Sequence, residues 1–326
     1  MSYMSSQRSL LSVRPTTHED VERFHGEFPD LRHDRWRPDG DARSFVAVSV
    51  HNQVVGHCCV ADNPVHPDTR SMLLEALPGF DAEQAVREAL LLEQIRVAAR
   101  PLWMKVYAHE AKDIDLAEKL GGVAIQLTPP WKYEVGDELR QWSAQHLGTT
   151  EIIADADRNA IRELEAIHYI AQHARWSRTA SRERLLDYFA DDHSATSPSV
   201  WDAGRSVCIK RNGCIVAAGL LWPGVSADTN EGREVSLLSQ PYEGSCTRTD
   251  KEACLAAIIE SAVGGEILLI DSHQTEALER EMMCDVPGRL QSATDTWMAI
   301  VAIPVPGTLA PAPIPALRTS GGGVMG

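Results

Sequence analysis

Between Leu102 and Ile125 the apolar positions change their spacing twice. An unbroken run from Leu102 to Ala108 breaks at His109-Glu110, Ile114, Leu116, Ala117 and Leu120 then recur at helical spacing, and the pattern stops on Gly121-Gly122. This predicts a strand, a short helix and a second strand, with the helix ended by glycine, which adopts the left-handed C′ conformation at little cost.

The residues before this stretch follow an equally plain pattern. A short strand ends at Pro15, and Thr17 is placed to cap a helix, with Asp20 three residues on where a capping box puts Glu. Asp30 to Arg43 is charged and rich in turn residues. FVAVSV and VVGHCCVA then flank a turn at His51-Asn52-Gln53, the pattern of a hairpin. Arg70 to Leu77 predicts a strand, and PGFDAEQAVREALLLEQIRVAAR a helix. After Ile125, Thr128-Pro129-Pro130 turns the chain into a last strand, WKYEV, and Gly136 to Gly148 reads as a polar linker without an apolar face of its own.

From Thr149 the order repeats. RSVCIKRNGCIVAAGLLWPG echoes RSFVAVSVHNQVVGHCCVA, with Asn212 at the turn where the first copy has Asn52. EVSLLSQP, KEACLAAIIESAV, GEILLIDSH and TEALEREMM echo the later strand, helix, strand and helix, and TWMAIVAIPV closes the second sheet. The expected division is therefore 1–9 disordered, 10–135 first domain, 136–148 linker, 149–305 second domain, and 306–326 a Pro/Gly-rich tail without a core. The fold class is α/β (α+β): two tandem domains, each a mixed, mostly antiparallel sheet flanked by helices.

Composition narrows the function. The 326 residues carry a net charge of -15, which opposes wrapping a nucleic-acid backbone, though it leaves room for a local basic patch. No apolar run approaches the roughly 20 residues of a membrane span, and the first residues lack the apolar core of a signal peptide, so a cytoplasmic protein is expected. Seven cysteines without CxxC spacing read as reduced thiols. His168 and His173, five apart, do not form the i, i+4 pair of a helical metal site, and no metal is expected.

The strand-helix-strand stretch, with its AEKLGG, and the opening strand-Arg-Pro-Thr resemble the GNAT acyltransferase superfamily over roughly residues 10 to 305, except that Gly122 stands in place of the usual phenylalanine. The resemblance implies two neighbouring strands that part to admit an acyl donor, acetyl-CoA or another acyl-CoA. It makes Glu75 the positional candidate for a base, with His109 and His273 at the ends of the corresponding strands. Neither copy has the R/Q-x-x-G-x-G/A loop that holds the CoA pyrophosphate: the first has Pro78-Gly79-Phe80-Asp81-Ala82-Glu83. The second offers Gly244, Ser245, Thr247, Arg248, Thr249 and Lys251 at a helix start, where backbone N–H groups and cations suit a phosphate, with Thr249 as the alternative, ordinary cap. Neither copy has the family's helical tyrosine. Arg175, Trp176 and Arg178 border the expected acceptor pocket and suit an anionic substrate or a nucleic-acid 3′ end.

Three functions remain open. The first is an N-acyltransferase making an amide on a small-molecule amine, as in natural-product metabolism. The second is a Fem-like transferase that takes its acyl group from aminoacyl-tRNA. The third is an inactive pair of domains serving as a binding module.

Overall fold

The computed structural model describes residues 11–32, 34, 43–80, 82–129, 131–190, 200–223, 232–241, 246–290 and 297–308. In chain order the strands are β1 (Leu11–Pro15), β2 (Ser44–Ser49), β3 (Val54–Asp62), β4 (Arg70–Ala76), β5 (Leu102–Tyr107), β6 (Val123–Thr128), β7 (Lys132–Glu134), β8 (Glu151–Ile152), β9 (Val207–Arg211), β10 (Cys214–Leu221), β11 (Arg233–Ser239), β12 (Ile267–Asp271) and β13 (Met298–Ile303). The helices are α1 (His18–Phe24), α2 (Glu83–Val97), α3 (Lys112–Lys119), α4 (Asp137–His146), α5 (Arg158–His173), α6 (Arg182–Tyr188), α7 (Arg248–Ser261) and α8 (Ala277–Asp285). The fold is mixed α/β with two sheets. It divides into unit 1, residues 1–125 with 299–326, and unit 2, residues 126–298.

Unit 1 is built on the sheet β1-β2-β3-β4-β5-β13-β6. Alternation along the strands sends Phe45, Ala47, Met72 and Leu74 into a core with Val86, Leu90 and Leu91 of α2 and Leu116 of α3. Val46, Val48 and Val54 face the other way, toward Phe28 and Leu31 in the turns after α1. Thr17 caps α1 as its sequence predicts: its hydroxyl accepts from Asp20 N at 3.2 Å, and its own N–H donates to Asp20 Oδ2 at 2.8 Å.

Unit 2 is built on the sheet β7-β12-β11-β10-β9-β8. One face packs on α4 and α7 through Leu139, Trp142, Leu255 and Ile258, and the other on Ile161 and Leu164 of α5 with Trp201. The hairpin turns match, with Asn52 at φ 56° and Asn212 at φ 52°, a left-handed conformation that asparagine tolerates.

Two expectations are corrected. Residues 136–148 do not form a linker: Asp137–His146 is helix α4, because Leu139 and Trp142 share a face that packs in the unit 2 core. WKYEV and TWMAIVAIPV are strands, but each joins the other sheet, β7 pairing with β12 and β13 lying between β5 and β6. Of the tail, Val305 and Thr308 close a turn, and residues 309–326 lie outside the described residues. All seven cysteines are free thiols. Among the described residues no helix is long and apolar enough to cross a membrane.

Candidate active site

Both sheets open at the same place. In unit 1, β4 and β5 pair in parallel from Arg70↔Leu102 to Met72↔Met104 and then part; in unit 2, β11 and β12 pair from Arg233↔Leu268 to Ser236↔Asp271 and then part. Beyond each fork a helix cation reaches a strand carbonyl and a carboxylate. Arg87 Nη1 donates to Leu74 O at 3.4 Å and to Asp113 Oδ2 at 2.6 Å. Lys251 Nζ donates to Leu237 O at 3.3 Å and to Glu279. Strand carbonyls left bare by the fork are thereby satisfied from within the protein.

In unit 2 this brace belongs to a larger polar cluster. Single ligand-type atoms of His168, Glu276 and Glu279 lie within 4.8 Å of one another. Gln172 Nε2 donates to Glu276 Oε2 at 2.9 Å, and the Glu276 and Glu279 carboxyls share a hydrogen bond. Burial, and next the Glu279 carboxylate, push Glu276 up to about 8, so it is protonated at neutral pH. Burial works against the charge on Glu279, but the Lys251 ammonium holds it below the ordinary carboxylate range.

Both histidines of the cluster are neutral. Burial lowers His168 to about 4, with Lys251 adding to the effect, and burial lowers His273 to about 4. Ser239 N–H donates to His168 Nδ1 at 3.4 Å. A backbone N–H cannot accept, so the His168 proton sits on Nε2, and Lys251 supplies the positive charge that a metal ion would bring to these carboxylates. His273 is 9% exposed, and its Nδ1 has no hydrogen-bond partner. Aromatic rings wall it: His173 at 5.1 Å and Trp176 at 6.2 Å between ring centroids, with Tyr169 stacked on His173 at 3.7 Å.

No family model matches the chain, and no curated protein matches it. Among solved structures it is similar to a GCN5-related N-acetyltransferase from Sphaerobacter thermophilus, with 11% identity over 90% of this chain and 94% of that one and a TM-score of 0.48. An acetyltransferase from the GNAT family of Colwellia psychrerythraea gives 13% identity, 89% and 98% coverage and a TM-score of 0.49. A GCN5-related N-acetyltransferase from Kribbella flavida gives 11% identity, 90% and 71% coverage and a TM-score of 0.46.

Several residues singled out in the sequence meet in unit 2. His273 and Trp176 face each other, Arg175 Nη1 donates to Thr275 O at 3.3 Å, and Lys251 lies at the centre of the cluster. Arg178 is exposed nearby in the chain. The phosphate expectation for the helix start meets a different geometry. Thr247, not Thr249, caps α7: its hydroxyl and N–H both donate to Asp250 Oδ2, at 2.8 and 2.7 Å. Arg248 is held by Glu252 and Asp285, each at 2.6 Å, and Lys251 by Glu279; Thr249 is exposed. Gly244 and Ser245 lie outside the described residues, as does Asp81 of the first loop.

The other two candidates belong to unit 1. Glu75 is on β4, with its Oε2 3.4 Å from Nδ1 of His57. His109 lies in the 3-10 turn Ala108–Glu110 after β5. Sequence reasoning missed Glu276 and Glu279, which were read only as part of an echoed helix, and set aside His168 because its spacing from His173 is wrong for a metal. The available signal was TEALEREMM itself, which carries carboxylates three residues apart at the end of a strand.

Proposed function

We propose that the chain is a GNAT-type N-acyltransferase made of two diverged copies of one fold, and that unit 2 carries the chemistry on a small-molecule amine. One observation carries this reading: the unpartnered, neutral His273 nitrogen lies within electrostatic reach of Glu279, whose carboxyl shares a hydrogen bond with a protonated Glu276, where β11 and β12 part. An amine attacks an acyl carbon only when neutral, so a base must take its proton and an acid must meet the leaving group. His273 Nδ1 is the acceptor and the Glu276 carboxyl the donor, standing in for the absent helical tyrosine. Two titratable groups pushed in opposite directions by one environment make such an acid–base pair. Arg175 and Trp176 at the rim suit an amine that carries negative charge and a flat apolar part.

The described residues at the start of α7 do not fit a CoA pyrophosphate, since the cap is closed and both cations are ion-paired. The donor is therefore an activated acyl thioester or ester, with acyl-CoA as one form and aminoacyl-tRNA as the other. Arg182 is already paired with Glu163, which weakens the basic patch a tRNA would need. The second reading, a binding module without catalysis, draws support from the braces that fill both forks. Calorimetric titration with acetyl-CoA and CoA separates these readings: micromolar binding supports a CoA donor, and its absence at millimolar ligand removes CoA. Transfer from charged tRNA that falls steeply with salt would select the tRNA form.

A further inference from the structure

Three side chains on one face of the first sheet take no part in the unit 2 chemistry. The registers Val46↔His57 and His57↔Glu75 align β2, β3 and β4, and Ser44, two residues before Val46, shares that face. Ser44 Oγ lies 3.3 Å from His57 Nε2, and His57 Nδ1 lies 3.4 Å from Glu75 Oε2. An ionised carboxylate only accepts, so Nδ1 carries the imidazole proton, and Nε2 then accepts from the Ser44 hydroxyl. Thr16 Oγ1, 2.9 Å away, completes the chain by donating to Ser44 Oγ. The order carboxylate, imidazole, hydroxyl is that of an activated nucleophile, and such contacts are often long before substrate binds.

The fold itself requires neither the histidine nor the carboxylate, although the buried serine recurs. Matching registers in unit 2 place Ser206, Ala218 and Leu238 at the same three positions, and Ala218 and Leu238 pack there against Ile161, Leu164 and Trp201. One sheet thus keeps an apolar face where the other holds a fully buried histidine. Solvent reaches the edge of the polar face, since the Glu75 side chain is 30% exposed and Cys59, directly opposite Ser44, is half-buried.

We propose that Ser44, His57 and Glu75 form a second reactive site, at which Ser44 Oγ takes the acyl group of a small activated ester or thioester. The Oγ–acyl bond forms as the bond from acyl carbon to leaving oxygen or sulfur breaks. The hydroxyl proton passes to His57 Nε2 and from there to the leaving group, with Glu75 holding the transient imidazolium. Water then attacks the acyl-serine, gives one proton through His57, and releases the carboxylic acid. Ser44 is only 5% exposed, which limits the acyl group to a small one. The site is independent of unit 2 and of whether unit 2 transfers acyl groups.

The test uses the intact chain and p-nitrophenyl acetate. Wild type is expected to release p-nitrophenolate at least about tenfold faster than Ser44→Ala, and Glu75→Gln, at a partly exposed position, is expected to lose the same advantage while melting like wild type. Acid-quenched peptide mapping locates any trapped acetyl group. Release by wild type at the Ser44→Ala rate overturns the proposal, as does an acetyl group on Cys58, Cys59 or a lysine that accounts for the release. Unchanged release in Glu75→Gln overturns it too, even if Ser44→Ala fails to fold.

Discussion

Lys251 and Glu279 meet inside unit 2 with almost no water around either, their side chains 5% and 2% exposed. Each is placed by a different element, α7 and α8, and Lys251 also holds the carbonyl that β11 exposes where it leaves β12. In unit 1 the same position is taken by Arg87, with Leu74 O and Asp113 as partners. Each fork is thus stabilised by an internal ion pair.

Breaking one partner of such a pair is costlier than removing both. Lys251→Met leaves a buried carboxylate uncompensated and is expected to lose about 3–5 kcal/mol. Lys251→Met with Glu279→Met is expected to recover most of it. Urea denaturation of the two variants checks this, and a double variant no more stable than the single one would contradict it.

A glycine lets sheet and helix approach closely in unit 1. A Cβ on Gly56 would stand 2.3 Å from Val86 Cγ1 and 3.0 Å from Glu75 O, with a side chain on one side and backbone on the other. Gly56→Ala is expected to destabilise by about 1–3 kcal/mol through overpacking. Thermal melting reads this directly, and pairing it with Val86→Ala should return part of the loss.

Stability should depend on pH in two opposite ways. His168 and His273, each lowered by burial to about 4, bind protons less readily folded than unfolded. Their contribution is complete above about 6.5 and is lost as the pH falls toward 4, up to about 3 kcal/mol each. Glu276, raised to about 8 by burial and by Glu279, holds its proton more tightly when folded. Its contribution is present at low pH and is lost as the pH rises through 8. Glu276→Gln is therefore expected to gain stability relative to wild type at pH 9 and not at pH 5, as melting temperatures would show.

The same groups set a pH profile for activity. With His273 as base and Glu276 as acid, kcat should fall above about pH 8, where Glu276 ionises. Glu276→Gln should lower kcat and remove that alkaline limb. An alkaline limb retained in the variant would assign it to another group.

How far the sequence reveals this molecule depends on the range of the interaction that decides each feature. Thr17 with Asp20, and the turns at Asn52 and Asn212, are local, and the chain follows them. The strand character of WKYEV and TWMAIVAIPV is also local, but their partners are chosen by pairing across more than a hundred residues, and both were assigned to the wrong sheet. Asp137–His146 was missed because only Leu139 and Trp142 make its apolar face, and a polar helix with two anchors looks like a linker. His273 stood out because it ends a strand. Glu276 and Glu279 acquire their character only through Lys251 and burial, which no spacing of residues expresses.

In the proposed reaction the unit 2 cluster transfers acyl groups without relying on a nucleotide cradle. The most direct measurement compares amine-dependent thiol release from acetyl-CoA and from the short thioester S-acetyl-N-acetylcysteamine, using wild type and His273→Ala against a panel of small amines. Comparable kcat is expected with both donors, and a loss of about 100-fold or more in His273→Ala. Thiol release that is unchanged in His273→Ala, or that requires the nucleotide part of CoA, would contradict it.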